Sequence, residues 1–185
     1  VVAQENDEIW YTNGSTTEAT VPENRLAFDA NIVSNTYDAE KGCWIIKFDK
    51  KLTILGEYAF YRCSGLTSIT IPNSVTTIGK LAFMECSNLT SVVIGDSVTN
   101  IGFSAFGDCS SLTNVFCKAI NPPTTIVNNN GYWYGFAMQD ESGNICNIDC
   151  TIYVPTECVE AYKSAQGWSE YADAIVGYNF DRNEE

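Results

Sequence analysis

A step of 23 residues repeats the same residue types along this chain and limits its fold more than any other feature. Gly56, Gly79 and Gly102 are separated by 23 residues each time (79 − 56 and 102 − 79). The same step relates four further sets, which are Ala59, Ala82 and Ala105; Phe60, Phe83 and Phe106; Cys63, Cys86 and Cys109; and Leu66, Leu89 and Leu112. A fixed period of this length is typical of solenoids, in which each unit stacks on its neighbours to bury a shared core.

Each repeat combines a strand-like half with a turn-like half. Leu66, Ile69 and Ile71 have the spacing L-x-x-L-x-L of leucine-rich repeats, and their period of two directs Ile69 and Ile71 inward. Phe60, Phe83 and Phe106 are expected to stack along the solenoid axis. The pattern predicts an α/β repeat fold: a short right-handed leucine-rich-repeat solenoid with a parallel concave β-sheet.

The same period extends beyond the three clear copies. One step back, Cys43, Ile46 and Phe48 fall on the positions of Leu66, Ile69 and Ile71. One step forward, Val154 follows Cys117 by 37 residues, so the last rung carries an insertion of 14 residues (37 − 23). The sequence therefore predicts five rungs.

Both ends of a solenoid expose apolar core and need caps. We expect residues 1–185 to form a single domain, with an N-terminal β cap and a C-terminal cap made of a helix and a closing strand. Its expected parts are the N-terminal cap (6–42), the repeats (43–118), the insertion within the last rung (119–150), and the last rung with the C-terminal cap (151–180).

The composition excludes several functional classes. Ten basic residues against 23 acidic residues give a formal net charge of −13, so the average field repels a phosphate backbone and no nucleic-acid partner is expected. Histidine is absent, which removes Ser-His-Asp and Cys-His catalysis and histidine-ligated zinc. No catalytic constellation is found, and we expect neither enzymatic activity nor a cofactor. No apolar run is long enough to span a membrane.

Most of the eight cysteines occupy positions that predict packing rather than chemistry. Six are interpreted as small core residues, which are Cys43, Cys63, Cys86, Cys109, Cys117 and Cys158. A disulfide that involves Cys146 or Cys150 remains open. No zinc or other metal site is predicted, because the chain contains no C-x-x-C doublet.

The repeats resemble the BspA-like leucine-rich repeat family, whose units are 23 residues long and carry an Ala-Phe-x-x-Cys signature. Residues 43–118 carry the resemblance, and the phrases from Asn6 to Tyr11 and from Tyr153 to Phe180 are similar to those of Bacteroides surface proteins. The resemblance implies a secreted or surface-anchored protein whose leader has been removed. It further implies a host or bacterial surface protein or glycan as partner, and it brings no catalytic residues.

The outward strand positions are the candidate site. They become apolar and aromatic toward the C-terminal end, beside an aromatic stretch of the insertion. Aromatic clusters are enriched where proteins bind partners, and they also stack on sugars. The candidate ligand-binding residues are Lys47, Thr70, Val93, Phe116, Tyr153, Tyr132, Trp133 and Tyr134. In the alternative interpretation, the insertion covers Phe116 and Tyr153 and makes them part of the cap.

Two functions remain open. The first is an extracellular recognition module that binds a protein or a glycan in adhesion at the bacterial cell surface. The alternative is a structural or spacer domain of a surface assembly, with no ligand of its own.

Overall fold

The computed structural model, which describes residues 4–125, 136 and 150–181, arranges the strands of the repeat in two sheets. Within the described residues the larger sheet has eight strands in the order β12-β11-β9-β7-β5-β1-β3-β2. Its strands are β1 (Glu8–Thr12), β2 (Ile32–Asp38), β3 (Cys43–Phe48), β5 (Ser68–Thr70), β7 (Ser91–Ile94), β9 (Asn114–Cys117), β11 (Thr151–Pro155) and β12 (Ile175–Tyr178). The smaller sheet consists of β4 (Ile54–Leu55), β6 (Thr77–Ile78), β8 (Asn100–Ile101) and β10 (Thr124–Thr125).

The repeat period sets the pairing of the parallel strands. Ile69 pairs with Val92, Val92 with Val115, and Val115 with Ile152, so each partner occupies the same position of its own rung. All four side chains are buried, as expected from their inward positions. In the smaller sheet β4, β6 and β8 pair in parallel by the same step of 23 residues, and β10 pairs in parallel with β8 at a step of 24 (124 − 100). Together these sheets confirm a short repeat solenoid.

A column of stacked phenylalanine rings runs through the core. The ring centroids of Phe60 and Phe83 lie 5.2 Å apart, and those of Phe83 and Phe106 lie 5.0 Å apart, with interplanar angles of 4° and 3°. This confirms the stacking expected from the sequence. Phe28 contacts Phe60 at one end, and Phe136 stacks on Phe106 at the other at 5.2 Å. Phe136 follows Phe106 by 30 residues rather than 23, so seven of the 14 inserted residues precede it.

The N-terminal cap differs from the expectation in one respect. The strand at 43–48 was expected beside the strand at 68–70, but β1 lies between β3 and β5 and pairs antiparallel with both. It does so because its alternating sequence buries Ile9 and Tyr11 in the core, which extends the inward rows of β5. The turn half of this rung keeps its expected place, since β4 pairs in parallel with β6.

The C-terminal cap closes the other end. A 3₁₀ turn (Thr156–Cys158), the helix α1 (Val159–Ser164) and a 3₁₀ segment (Ser169–Ala174) connect β11 to β12, which pairs with β11 in parallel. A further 3₁₀ turn (Arg25–Ala27) lies in the N-terminal cap. Tyr162 and Trp168 are fully buried, and each donates to a carbonyl near the last regular rung: Tyr162 Oη to Ala119 O at 2.6 Å and Trp168 Nε1 to Pro123 O at 2.8 Å.

Candidate functional site

The outer face, which is the side of the eight-stranded sheet that points away from the core, presents two rows of side chains. Along β5, β7, β9 and β11, the alternation of each strand leaves two half-buried outward positions. The first row, here called the central row, contains Thr70, Val93, Phe116 and Tyr153, and strand register places these four residues side by side. The second, the polar row, contains Ser68, Ser91, Asn114 and Thr151, aligned in the same way.

Strand β1 extends both rows with residues that the repeat pattern did not identify. Trp10 pairs with Thr70, and Thr12 pairs with Ser68. The expected alignment of Lys47 with Thr70 is wrong, because Trp10 pairs with Ile45 on its other side and Lys47 faces Glu8. Only the alternation of residues 8–12 could have indicated Trp10, since the insertion of β1 between two rungs leaves no trace in the 23-residue period.

An aromatic cluster, here called the aromatic edge, occupies the C-terminal end of the outer face. The rings of Phe116 and Tyr153 stack with centroids 4.5 Å apart and an interplanar angle of 10°. Tyr178 makes edge-on contacts with both, at 5.4 and 5.5 Å, and Phe180 packs on Tyr178 at 4.9 Å. The structure therefore brings together Phe116 and Tyr153 as expected, and it adds two residues of the closing segment.

The polar row ends in a small cleft at its N-terminal side. Thr12 Oγ1 lies 2.7 Å from Ser68 Oγ, which joins β1 to the row by a hydrogen bond. Beyond Thr12, where β1 ends and β3 begins, a cleft of about 130 Å³ opens. It is lined by Thr12, Asn13, Gly14, Ser15, Thr16, Tyr37, Gly42, Cys43 and Trp44.

The outer face is neutral at its centre and charged at its N-terminal flank. None of the eight outward residues on β5, β7, β9 and β11 is Asp, Glu, Lys or Arg, although 18% of the chain is charged. On the flank, Lys47 Nζ lies 3.6 Å from Glu8 and 3.7 Å from Asp7. Trp10 Nε1 donates to the Glu8 carboxylate at 2.8 Å, which fixes the indole beside the neutral centre.

Of the three aligned cysteines of the repeat, Cys86 and Cys109 are buried in the core as expected, whereas Cys63, on the first rung of the column, is only half-buried and packs against the core. The thiols of Cys86 and Cys109 donate to the carbonyls of Phe60 and Phe83, at 3.0 and 3.1 Å. Burial raises the pKa of the Cys63 thiol to about 12 and that of Cys117 to about 11. Raised values leave the thiol protonated at neutral pH, and a protonated thiol is a poor nucleophile and metal ligand.

Three of the predicted site residues lie outside the described residues, namely Tyr132, Trp133 and Tyr134. The alternative in which the insertion covers Phe116 and Tyr153 falls on the same segment. Cys146 also lies outside the described part of the chain. Cys150 is buried, and burial raises its pKa to about 12.

Metal-binding clusters and membrane-spanning helices are both absent from residues 4–125, 136 and 150–181. In this part of the chain no group of three or more cysteine, aspartate or glutamate residues is arranged to hold a metal ion. None of the helices described there has both the length and the apolar character needed to cross a membrane.

Comparison with known protein families identifies the repeats. A family model described as a BspA type leucine-rich repeat region matches residues 30–130, more than half of the chain, in six copies. The match begins within the segment assigned to the N-terminal cap from the sequence, and it ends before β11. No curated protein matches the chain.

Proposed function

The chain belongs to the BspA-type leucine-rich repeat family, and on that premise we propose that it is a non-catalytic recognition module that binds its partner on the outer face of the eight-stranded sheet. The family suggests a repeat-based interaction module. The partner is a protein or glycan at the bacterial or host surface, and the protein is secreted or held at the cell surface.

The observation that carries this proposal is the composition of the outer face. Solvated strand positions are usually filled by polar residues such as threonine and lysine, yet the central row ends in the stacked pair Phe116 and Tyr153. Tyr178 extends this pair, and Val176, which pairs with Tyr153 in the strand register, keeps 39% of its surface exposed. Aromatic side chains at a partly exposed patch are enriched at the energetic centres of interfaces.

The site is also built on a rigid support. The backbones of β7, β9 and β11 are joined by parallel ladders, and the residues beneath the outer face, Val92, Val115 and Ile152, have no exposed surface. A side chain held by packed strands loses little further freedom when it binds, so the cost of ordering the site is small.

A binding screen with a double variant tests the proposal. The purified protein is applied to immobilised extracellular matrix proteins and to a glycan array, and the double variant Phe116→Ala with Tyr153→Ala is compared with Leu26→Ala. Leu26 is 94% exposed in the N-terminal cap, so its variant controls for the loss of an apolar surface residue elsewhere. We expect at least one ligand whose binding falls more than tenfold in the double variant and is unchanged in the control. Binding that is equal in all three proteins would contradict the proposal.

A further inference from the structure

We infer that the ligand of the outer face is an uncharged glycan that lies across the strands, in a trough between Trp10 and Phe116. This inference rests on the proposed recognition function and adds the chemical class of the ligand and its path over the sheet. Four features support it: the shape of the trough, the hydroxyl groups beside it, the absence of charge at its floor, and the cleft at its end.

The trough has an aromatic residue at each side and small residues at its floor. Tyr153 covers one face of the Phe116 ring, so the opposite face is directed toward β7, where the shorter side chain of Val93 lies. Thr70 is the next residue of the row, and Trp10 follows it on β1. Three strand spacings separate β1 from β9, which makes the trough about 14 Å wide at about 4.8 Å per strand. This width admits sugar rings that pack against the Phe116 face.

The polar row runs beside this trough and carries hydrogen-bonding groups along its length, of which Thr12 Oγ1 and Ser68 Oγ already share one bond and Asn114 Nδ2 donates to Thr113 Oγ1 at 2.9 Å. Thr12, Ser68 and Ser91 each carry a hydroxyl group, and Asn114 carries an amide. Hydroxyl and amide groups both donate and accept hydrogen bonds. A sugar ring has an apolar part and a polar part as well, because its C–H face packs on an aromatic ring while its rim carries hydroxyl groups. The two parallel rows therefore match both parts of a saccharide at once.

The distribution of charge favours a neutral ligand. The floor and both rows on β5, β7 and β9 contain no charged residue, whereas the chain as a whole carries a net charge of −13. A sulfated or carboxylated glycan would be repelled by that field and would find no cation on β5, β7 and β9. Lys41 Nζ lies 5.5 Å from the centroid of the Trp10 ring, and its charge is paired with Asp38 at 2.6 Å. A basic protein would be attracted by the field, but its charged side chains would find no carboxylate partner at the centre of the face.

The cleft beyond Thr12 is the place where the bound glycan would end. Its volume of about 130 Å³ is close to that of a cavity of about 150 Å³ that accommodates benzene. It therefore has room for one six-membered ring. Thr12 lines the cleft and also belongs to the polar row, so a chain that follows the row leads into it. Asn13, Ser15 and Thr16 line its wall, where Asn13 Nδ2 donates to Glu18 O and Ser15 Oγ accepts from Glu18 N.

Two variants of the trough test the inference by calorimetric titration. Val93→Trp fills the floor with a bulky ring, and Phe116→Leu keeps an apolar side chain but removes the ring face. Leu26→Ala is the control. The probes are neutral β-glucan and mannan oligosaccharides, a heparin oligosaccharide as the anionic counterpart, and the matrix proteins of the screen above. Thermal unfolding of each variant checks that the fold is retained, and two independent changes keep the test decisive if one variant fails to fold.

We expect a neutral oligosaccharide to bind, with affinity at least tenfold lower in Val93→Trp and in Phe116→Leu, and unchanged between low and high salt because no charges pair. The inference is overturned if no neutral oligosaccharide binds at millimolar concentration, or if both trough variants bind it as well as the wild type. If only heparin or a matrix protein binds, and Val93→Trp prevents it, the assignment of an uncharged glycan is wrong while the recognition function stands. If no probe binds at the outer face, both proposals fail.

Discussion

The glycine column, from which the period of the chain was read, has a steric cause in the structure. Gly56, Gly79 and Gly102 lie where the backbone of one rung passes against the backbone of the rung before it. A Cβ atom on Gly79 would overlap the carbonyl carbon of Gly56, and one on Gly102 would overlap the backbone of Lys80. Gly79 N also donates to Leu55 O at 2.6 Å, which fixes this close approach. The residue is therefore glycine because neighbouring rungs leave no space for a side chain.

Gly79→Ala should destabilise the protein by about 1–3 kcal/mol, the usual cost of overpacking, because backbone rather than a flexible side chain must move. The measurement is chemical denaturation of the variant against the wild type. Gly65→Ala is the matched control, since the nearest atom to its added Cβ is Thr20 Oγ1 at an ordinary contact distance of 3.6 Å. A similar loss of stability in both variants would contradict this explanation of the column.

Asp29 replaces a missing rung at the N-terminal end of the smaller sheet. In a regular rung, Thr76 N and Thr76 Oγ1 both donate to the carbonyl of Thr53, at 2.9 and 3.3 Å. Thr53 has no such rung before it, and its N and Oγ1 donate instead to the two carboxylate oxygens of Asp29, at 3.0 and 2.5 Å. Burial acts to raise the pKa of Asp29, but these hydrogen bonds and one from Ile54 outweigh it and lower the pKa below its usual value.

This lowered pKa predicts how Asp29 contributes to acid stability. A carboxyl group whose pKa is lower in the folded state contributes stability above its unfolded pKa of about 3.9, and loses it as the pH falls through the folded value. We expect Asp29→Asn to be less stable than the wild type at pH 7 and to lose less stability between about pH 5 and pH 2. Urea denaturation across this pH range measures the free energy of unfolding of both proteins, and Asp96→Asn in an exposed turn is the control for removing one charge. Parallel curves for wild type and Asp29→Asn would refute the assignment.

At the scale of elements, the regular rungs could be predicted from the sequence because each residue type recurs where the same contact recurs. The inward rows of β5, β7 and β9 and the stack of Phe60 on Phe83 follow from counting in steps of 23. The pairing of β11 with β9 follows once the 14 inserted residues are added to that step. The position of β1 could not be predicted in this way. This strand comes from outside the repeat and inserts antiparallel between β3 and β5, and the 23-residue spacing of the repeat is the same with or without it. As a result Trp10, a wall of the proposed trough, was missed.

The turns of the repeat also lie beyond simple sequence rules. Among the described residues, six that carry side chains have a positive φ, and they recur with the same period: Tyr58, Leu81 and Ser104, then Arg62, Glu85 and Asp108. Glycine is the residue usually expected in this region, because a Cβ atom makes it unfavourable. Backbone hydrogen bonds between rungs hold the turns in place, such as Phe60 N to Ala82 O at 2.7 Å and Arg62 N to Met84 O at 2.9 Å. Contacts between rungs thus override local preference.

Phe136 should be as important for stability as the phenylalanines of the regular rungs. It is buried, stacks on Phe106 and packs against Trp168 and Tyr171 of the C-terminal cap. Truncation of a buried phenylalanine usually costs about 3–5 kcal/mol, and we expect Phe136→Ala to fall in this range by denaturation. Leu26→Ala should change stability by less than about 0.5 kcal/mol, as is usual at exposed positions. A loss for Phe136→Ala as small as that of the control would show that the insertion does not anchor the cap.

Strand β1 should be required for the large sheet to form. In the described strand order it lies between β3 and β5 and pairs with both. Its removal therefore leaves β3 and β5 each with unpaired backbone groups along one side. We expect a protein that lacks residues 1–12 to lose cooperative thermal unfolding and to aggregate. Near-ultraviolet circular dichroism and light scattering measure this. A truncated protein with an unchanged melting temperature would contradict the strand order.

On the scale of the whole molecule, the solenoid has a small-sheet side that holds the turns and an outer face that holds the distinctive side chains. The small-sheet side repeats threonines whose hydroxyl groups bond to the rung before, as in Thr99 Oγ1 to Thr76 O at 3.2 Å and Thr124 Oγ1 to Thr99 O at 3.0 Å. These contacts serve the stacking of rungs. The outer face changes from Thr70 through Val93 to Phe116 and Tyr153, and the regular stacking of rungs does not require this variation. Recognition is the function that this difference supports.

Amide NMR of the intact 20.4 kDa chain tests this account most directly, because each residue of the outer face reports separately. The protein is titrated with the neutral oligosaccharides and with peptides of the matrix proteins. We predict chemical-shift changes concentrated on β5, β7 and β9 at Ser68, Thr70, Ser91, Val93, Asn114 and Phe116, with the smaller sheet unchanged. Shift changes centred on Thr77, Asn100 and Thr124 instead, or no change with any probe, would contradict the assignment of the outer face as the binding surface.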